Sequence, residues 1–216
     1  MARSNSSTGK IPAVLRFAAL SFVLSLNVAF ATESKKTMNK STPLSQAYVW
    51  YDGDREQQVW LNPGIVAEFN PGPESKSRLK RAYSDARIAP TKRKQAVIRL
   101  WQLDNTAETV IRSLKASHPA GKYSPVLHDG STSAGRKRAL PGNVIVYLNP
   151  QWDQVAVNNW LSSRKLEMVK KLEIGPNIYV IKTGPGLEAL ETANALYRSG
   201  EVTAAFPDWW QEVATR

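Results

Sequence analysis

The sequence predicts an α+β fold built in two parts. Short runs of β-branched and aromatic residues, typical of strands, alternate with segments whose apolar residues recur at helical spacing. Clusters of Pro, Gly, Asn and Asp separate these segments, as expected for turns. Hydrophobic residues make up 42% of the 216 residues, which is enough for the cores of one large or two small domains. We therefore expect a smaller α+β unit at 47–129 and a second unit at 143–216, joined by a Gly-, Ser- and Arg-containing linker at 130–142.

The second part shows the clearer pattern. Its strands are expected at 143–148, 167–174, 178–182 and 202–206, and its helices at 151–165 and 184–197. Turn residues separate the two middle strands, and Ser199-Gly200 ends the second helix. The resulting order, β-α-β-β-α-β, is that of the ferredoxin-like, or split βαβ, arrangement.

The first part opens with a predicted β-hairpin, because strands at 47–51 and 57–61 flank an Asp-Gly pair that favours a tight turn. Asn62-Pro63-Gly64 predicts another turn before a third strand at 65–69. The remaining elements are a helix at 74–86, a strand at 96–101, a helix capped by Asp104 or Asn105 and ending at Ser117, and a strand at 122–128.

The amino-terminal segment has the pattern of a cleaved signal peptide. Arg3, Lys10 and Arg16 precede an apolar run at 17–30, and Ala29-Phe30-Ala31 is a small-x-small cleavage site. The alternative is a membrane anchor, but the run is shorter than the roughly 20 residues needed to span a bilayer. We expect a signal peptide at 1–31, a polar disordered lead-in at 32–46, and a periplasmic or secreted protein without stable membrane insertion. The sequence contains no cysteine, so packing rather than disulfides must hold the fold.

The chain is basic, with 29 Lys and Arg against 18 Asp and Glu and a formal net charge of +11. An exported protein rarely meets nucleic acid, and the sequence has neither a glycine-rich phosphate loop nor the aromatic motifs of RNA-binding sheets, so we expect no nucleic-acid partner. An acidic partner or lipid surface remains one reading of the charge, and solvated basic faces are the other. The triplet Arg136-Lys137-Arg138 is read either as a processing site or as a solvated loop.

The sequence offers no set of residues for catalysis. His118 and His128 belong to no metal-spacing pattern, and no nucleophile-base arrangement accompanies them. We therefore expect a protein that is not an enzyme and that holds neither a metal nor another cofactor.

Both faces of the sheet predicted in the second part are apolar. Val144, Val146 and Leu148 alternate with Ile145 and Tyr147. Tyr179 and Ile181 likewise alternate with apolar neighbours. A sheet with helices on one face should leave the other face polar unless something covers it. Either a partner or the first half of the chain is expected to cover it, and the predicted docking face is Ile145, Tyr147, Tyr179 and Ile181.

Three segments of the second part resemble the propeptide of subtilisin-like serine proteases: 144–150, 177–181 and 202–208. In the last of them Ala204-Ala205-Phe206-Pro207-Asp208 departs from the family pattern, with Ala-Phe in place of Ala-Glu and Asp in place of Asn. The earlier part of the chain, including Tyr123 to Asp129, is similar to the longer leader of fervidolysin-like subtilases. The catalytic Asp, His and Ser motifs of subtilases are absent.

This resemblance implies a stand-alone propeptide-like protein that binds a separately encoded subtilisin-like protease in trans, as inhibitor, folding chaperone or both. In the family the sheet face docks on the protease and the residues after the last strand enter its active-site cleft. By that resemblance Val213, Ala214, Thr215 and Arg216 would fill the subsites, with Arg216 in the primary specificity pocket. The alternative function is a non-catalytic periplasmic adaptor that oligomerises through its apolar sheet face.

Overall fold

The computed structural model describes residues 42–92 and 96–213, which all belong to one compact unit. The predicted signal peptide at 1–31 and the lead-in up to residue 41 lie outside the described residues. The last five residues of the predicted disordered lead-in are ordered, which corrects that expectation. Pro43 forms a β-bridge with Thr132, and Leu44 is buried.

The prediction of an α+β fold is confirmed. The strands are β1 (Ala47–Asp52), β2 (Arg55–Phe69), β3 (Arg87–Ile88), β4 (Ile98–Gln102), β5 (Tyr123–Asp129), β6 (Lys137–Ala139), β7 (Val144–Tyr147), β8 (Met168–Lys171), β9 (Ile178–Ile181), β10 (Ala204–Pro207) and β11 (Trp210–Gln211). The helices are α1 (Arg78–Ala82), α2 (Ala107–Ser117), α3 (Gln154–Ser163) and α4 (Leu187–Arg198), with one turn of 3-10 helix at Glu74–Lys76. In the described ranges, no helix has the length and apolarity that crossing a membrane requires.

The larger sheet is antiparallel and has seven strands in the order β11-β6-β5-β2-β4-β3, with β1 paired to β2. The prediction of separate strands at 57–61 and 65–69 is wrong, because β2 runs through both. Pro63 and Gly64 produce an irregularity in the pairing with β5 between Asn62 and Val66 rather than a reversal of the chain. Between these two pairs β2 has three more residues than β5, and extra residues in one strand bend it without ending the sheet. The bent strand pairs with β1 along its first half and with β4 along its second.

The helix predicted at 74–86 is shorter in the structure because Ser77 interrupts it. Ser77 has an extended backbone and caps α1, and its Oγ accepts the Lys80 backbone N–H at 3.2 Å. The 3-10 turn precedes this cap. α2 begins one residue after Thr106, beyond the predicted caps Asp104 and Asn105. Both α1 and α2 pack on one face of the larger sheet, around the buried Trp101.

The smaller sheet is also antiparallel, in the order β10-β7-β9-β8, and the chain passes through β7, α3, β8, β9, α4 and β10. Asp153 caps the start of α3, and its side chain accepts the Ala156 backbone N–H at 2.8 Å. Both helices cover one face of this sheet, where Val146, Trp160 and Leu196 contribute to a buried cluster.

Helix α4 belongs to two cores. Ala193 and Leu196 pack against the smaller sheet. Leu190 packs in a second cluster with Leu140, which follows β6, and with residues of the larger sheet: Trp50, Val59, Leu61 and Leu127. A hydrogen bond also joins α4 to the larger sheet, because the Asn194 side-chain amide donates to the Val49 carbonyl at 2.8 Å. The two predicted halves therefore share a helix and a continuous apolar contact.

The linker predicted at 130–142 is wrong, because this segment contains β6. Lys137–Ala139 pairs with β5 on one side and with β11 on the other. Arg138 is buried, with 8% of its surface exposed. Arg138 lies in a strand that is paired on both sides, so the reading of the basic triplet as a solvated loop is wrong. The same pairing disfavours the processing site, because a protease needs an extended, accessible chain.

Candidate docking surface

The four residues of the predicted docking face lie on opposite faces of the smaller sheet. Residues directly opposite each other in an antiparallel pair share a face. Val146 pairs with Tyr179 and Val144 pairs with Ile181. Tyr179 and Ile181 therefore point to the side of the helices, whereas Ile145 and Tyr147 point away from them.

Tyr179 and Ile181 are core residues, which corrects their assignment to the docking face. Their exposed fractions are 1% and 0%, and they pack with Val157 and Leu161 of α3. The Tyr179 hydroxyl donates to the Asn177 side-chain oxygen at 3.3 Å within this core. Neither side chain is accessible to a second protein.

The face opposite the helices, here called the outer face, contains six apolar residues of β7, β9 and β10, together with Lys170 of β8, which pairs with Val180. Pairing places Ile178 and Ala204 beside Tyr147, and Val180 and Phe206 beside Ile145. Ile178 and Val180 are buried, while the other four are partly exposed. The Tyr147 and Phe206 rings contact each other, with centroids 5.7 Å apart. The outer face is thus apolar and partly accessible at β7 and β10.

The larger sheet covers one margin of the outer face. Phe206 packs against the cluster that contains Trp50, and Trp209 packs against the same cluster. At the opposite margin β8 is an edge strand, and all four of its residues are exposed. Met168 and Val169 keep 42% and 50% of their surface exposed there. The first half of the chain therefore covers the outer face on the β10 side, which is one of the two predicted alternatives.

The carboxyl-terminal segment is held by the larger sheet as far as Glu212. Strand β11 pairs with β6, and the Glu212 backbone N–H donates to the Lys137 carbonyl at 2.9 Å. The Glu212 carboxylate, 4% exposed, accepts the Lys92 backbone N–H at 2.8 Å and lies 3.3 Å from the Lys137 ammonium. Val213, the first residue of the predicted protease-binding tail, is 55% exposed. Ala214, Thr215 and Arg216 lie outside the described residues.

Arg138 links this segment to the rest of the molecule. Its Nε and Nη2 donate to the two carboxylate oxygens of Asp129, at 2.5 and 3.3 Å. Its guanidinium carbon lies 5.4 Å from the ring centroids of both Trp50 and Trp209. A planar cation with this geometry gains from the carboxylate and from both aromatic faces. This arrangement was not predicted from the sequence, although Arg138 and Leu140 stand two residues apart, the spacing of one face of a strand.

His128 is the buried histidine, and it is structural. Its ring Nδ1 lies 2.9 Å from the Gly135 carbonyl and its Nε2 lies 3.2 Å from the Asn62 side-chain nitrogen. In the neutral tautomer with the proton on Nδ1, the ring donates to Gly135 and accepts from Asn62. Burial lowers the pKa of His128, and nearby Lys137 lowers it further, against the opposing effects of Gly135, Glu212 and Asp129. Neutral His128 is therefore the form that fits the fold.

Stability should fall as the pH drops through the range in which a free histidine titrates. A group whose pKa is lower in the folded state binds more protons when unfolded, so its contribution is complete above about pH 6.5 and declines below it. Between pH 7.5 and 5.5 we expect His128 to remove at most about 1.4 kcal/mol from the free energy of unfolding. Urea unfolding of wild type and His128→Gln at both pH values measures this term. An equal pH dependence in both proteins would contradict it.

Among residues 42–92 and 96–213, no group of three His, Asp or Glu side chains is placed to hold a metal ion. His118 lies at the end of α2, where its Nδ1 contacts the Ser117 hydroxyl at 2.8 Å. Comparison with protein-family models, curated proteins and solved structures finds no match to this chain.

Proposed function

We propose that the protein is a non-catalytic binding module that docks on a subtilisin-like serine protease in trans and inhibits it. The observation that carries the proposal is the partly exposed apolar outer face at Ile145, Tyr147 and Phe206. Apolar residues clustered on an accessible sheet face are typical of a surface used for docking. The chain order β-α-β-β-α-β agrees with the resemblance to subtilase propeptides, whose sheet is the part that contacts the enzyme.

The proposed tail begins directly after Glu212, the last residue that the larger sheet holds. Glu212 is buried and bound on two sides, and exposed Val213 follows it at once. A fixed base limits the freedom that the following residues lose when they bind, which favours the insertion of a short peptide into a cleft. In this proposal residues 213–216 enter the cleft in an extended form, with alternate side chains providing specificity.

Docking is tested by replacing Tyr147 with aspartate. A charge placed in an apolar interface is expected to cost at least about 2 kcal/mol of binding, or about 30-fold in the inhibition constant against subtilisin. Val155→Asp is the matched control, because Val155 is 65% exposed on α3, on the helix side of the sheet. Full subtilisin activity in the presence of wild-type protein, or equal inhibition by wild type and Tyr147→Asp, would contradict the proposal.

The tail is tested by a chain that ends at Glu212. We expect this truncation to abolish inhibition and to leave the thermal unfolding midpoint unchanged, because the contacts of β11 and Glu212 remain. Unchanged inhibition would remove the tail from the mechanism. A larger deletion from Gln211 is unsuitable, because it also removes the buried Glu212.

The same variants test the adaptor alternative, in which the protein oligomerises through its apolar sheet face. Size-exclusion chromatography with light scattering measures the oligomeric state of wild type and Tyr147→Asp. A stable homodimer that Tyr147→Asp dissociates, together with unaffected subtilisin, would favour the adaptor over the inhibitor.

A further inference from the structure

The edge of the smaller sheet at β8 concentrates exposed apolar side chains. Seven large hydrophobic side chains of the described residues are exposed, and three of them, Met168, Val169 and Ile174, lie in this strand and in the turn that follows it. Ile174 is the most exposed of the seven, at 72%. β8 stands at the end of the sheet order, so no strand of the described chain lies beyond it. The fold as described therefore leaves these side chains open to solvent.

Unpaired lysines accompany the apolar residues. Lys165, Lys170 and Lys171 are exposed, and none of the three forms a salt bridge with a described residue. An exposed ammonium group without an acidic neighbour is available to an anionic partner. The segment 165–174, here called the edge segment, thus combines apolar and cationic side chains.

Two acidic residues of the edge segment reduce its charge without cancelling it. The Glu167 carboxylate lies 2.7 Å from the Lys182 ammonium, so a lysine outside the segment neutralises it. Glu173 is exposed and offsets one of the three unpaired lysines. The edge segment therefore stays cationic, in keeping with the basic character of the whole chain.

The lysines lie on both sides of the sheet edge. Lys170 pairs with Val180, which belongs to the outer face, whereas Lys171 pairs with Tyr179, which belongs to the helix side. Met168 pairs with Ile181, also on the helix side. A flat anionic surface that approached the edge would therefore meet apolar side chains together with an ammonium group from each face of the sheet.

The edge is unsuited to the addition of another strand. The pairing of β8 with β9 is irregular between Met168 and Lys170, and a bulge interrupts the regular row of backbone groups that an added strand needs. The strand is only four residues long, and its lysines also disfavour pairing with an edge of another molecule. A second copy would place its own lysines beside these. A partner must therefore bind through the side chains rather than through backbone pairing.

We propose that the edge segment binds the surface of an anionic phospholipid membrane. The lysine ammonium groups complement the lipid phosphates, and Met168, Val169 and Ile174 enter the boundary between headgroups and acyl chains. Lysine suits this position because its stem lies along apolar groups while its charged end stays in the polar layer. A membrane surface needs no matching pocket in the protein. The contact is peripheral, and it is independent of the protease docking proposed for Tyr147.

Binding is measured by sedimentation with sucrose-loaded vesicles of equal parts phosphatidylglycerol and phosphatidylcholine. The chain begins at Thr32, because the apolar run at 17–30 would itself bind lipid and the compact unit lies wholly after it. We expect saturable binding that weakens as salt is added, and binding at least about tenfold weaker to vesicles of phosphatidylcholine alone. No binding to the anionic vesicles, or equal binding to both kinds, would overturn the proposal.

The cationic contact is tested by the double variant Lys170→Gln with Lys171→Gln. Each lysine near an anionic surface contributes about fivefold in affinity, so the partition coefficient should fall at least about tenfold. Lys76→Gln with Lys122→Gln is the matched control, because both lysines are exposed in the first part of the chain and form no salt bridge with a described residue. Equal losses in the two double variants would mean that only the overall charge attracts the chain, which would overturn the assignment to β8.

The apolar contact is tested by Ile174→Ser, with Ile88→Ser as the control. Ile88 is 54% exposed on β3 of the larger sheet, so the same chemical change is made away from the edge segment. Ile174→Ser should weaken vesicle binding at least about threefold, and Ile88→Ser should leave it unchanged. Tyr147→Asp should also bind vesicles as wild type does. Unchanged binding of Ile174→Ser, or loss of binding in Tyr147→Asp, would contradict the proposed contact.

Discussion

Replacement of Arg138 by alanine is expected to lower the free energy of unfolding by about 3 kcal/mol. Breaking a buried ion pair costs about 3–5 kcal/mol because it leaves a charge without its partner, and each cation–π contact adds about 0.5–2 kcal/mol. The Asp129 carboxylate keeps its bond to Arg136 and its side chain is 31% exposed, so the expected loss lies at the low end of this range. Urea unfolding at neutral pH measures the loss, and Trp fluorescence reports the release of Trp50 and Trp209.

Arg136→Ala is the matched control for this experiment. Arg136 bonds the same carboxylate, at 3.0 Å, but its side chain is 52% exposed. An exposed ion pair contributes about 0–1 kcal/mol. Equal destabilisation by Arg136→Ala and Arg138→Ala would show that burial and the aromatic contacts do not distinguish the two arginines.

Replacement of Leu190 by alanine is expected to cost about 2–5 kcal/mol and to weaken both parts of the molecule together. The Leu190 side chain is 1% exposed and lies between α4 and the larger sheet. Removal of a buried Leu side chain loses its transfer free energy and leaves a cavity. Because α4 also packs on the smaller sheet, urea unfolding followed by far- and near-ultraviolet circular dichroism should stay one coincident transition with a lower midpoint.

Ile174→Ala is the control, since it deletes a similar amount of hydrocarbon from a side chain that is 72% exposed. Its effect should stay within about 0.5 kcal/mol. Two separate transitions in Leu190→Ala would contradict the shared core, because the smaller sheet would then be stable without the larger one.

Local signals were enough to predict most elements. The Asp52-Gly53 turn and the run Val144–Tyr147 are determined by neighbouring residues, and both were placed within two residues of their observed positions. The Pro63-Gly64 pair misled the prediction, because its effect depends on strands that are distant in sequence. With β5 paired to β2 on both sides of the irregularity, the chain continues in the same direction.

The docking surface was predicted only in part for the same reason. The sequence gives two alternating sets of apolar residues in each strand, but the pairing decides which sets share a face. Tyr147 pairs with Ile178, so Tyr179 belongs to the helix side. A shift of one residue in the register would have exchanged the two sets. The role of Arg138 was also out of reach, because its partners Trp50 and Trp209 come from the two ends of the described chain.

The packing of α4 on both sheets also affects the rate at which this chain is expected to fold. The hydrogen bond between Asn194 and Val49 joins residues 145 positions apart. Contacts that close such long loops lose much chain entropy before they gain any stability, and proteins rich in them fold in milliseconds to seconds rather than microseconds. The packing of Trp50 against α4 is therefore expected to form late in folding, after the amino-terminal hairpin itself.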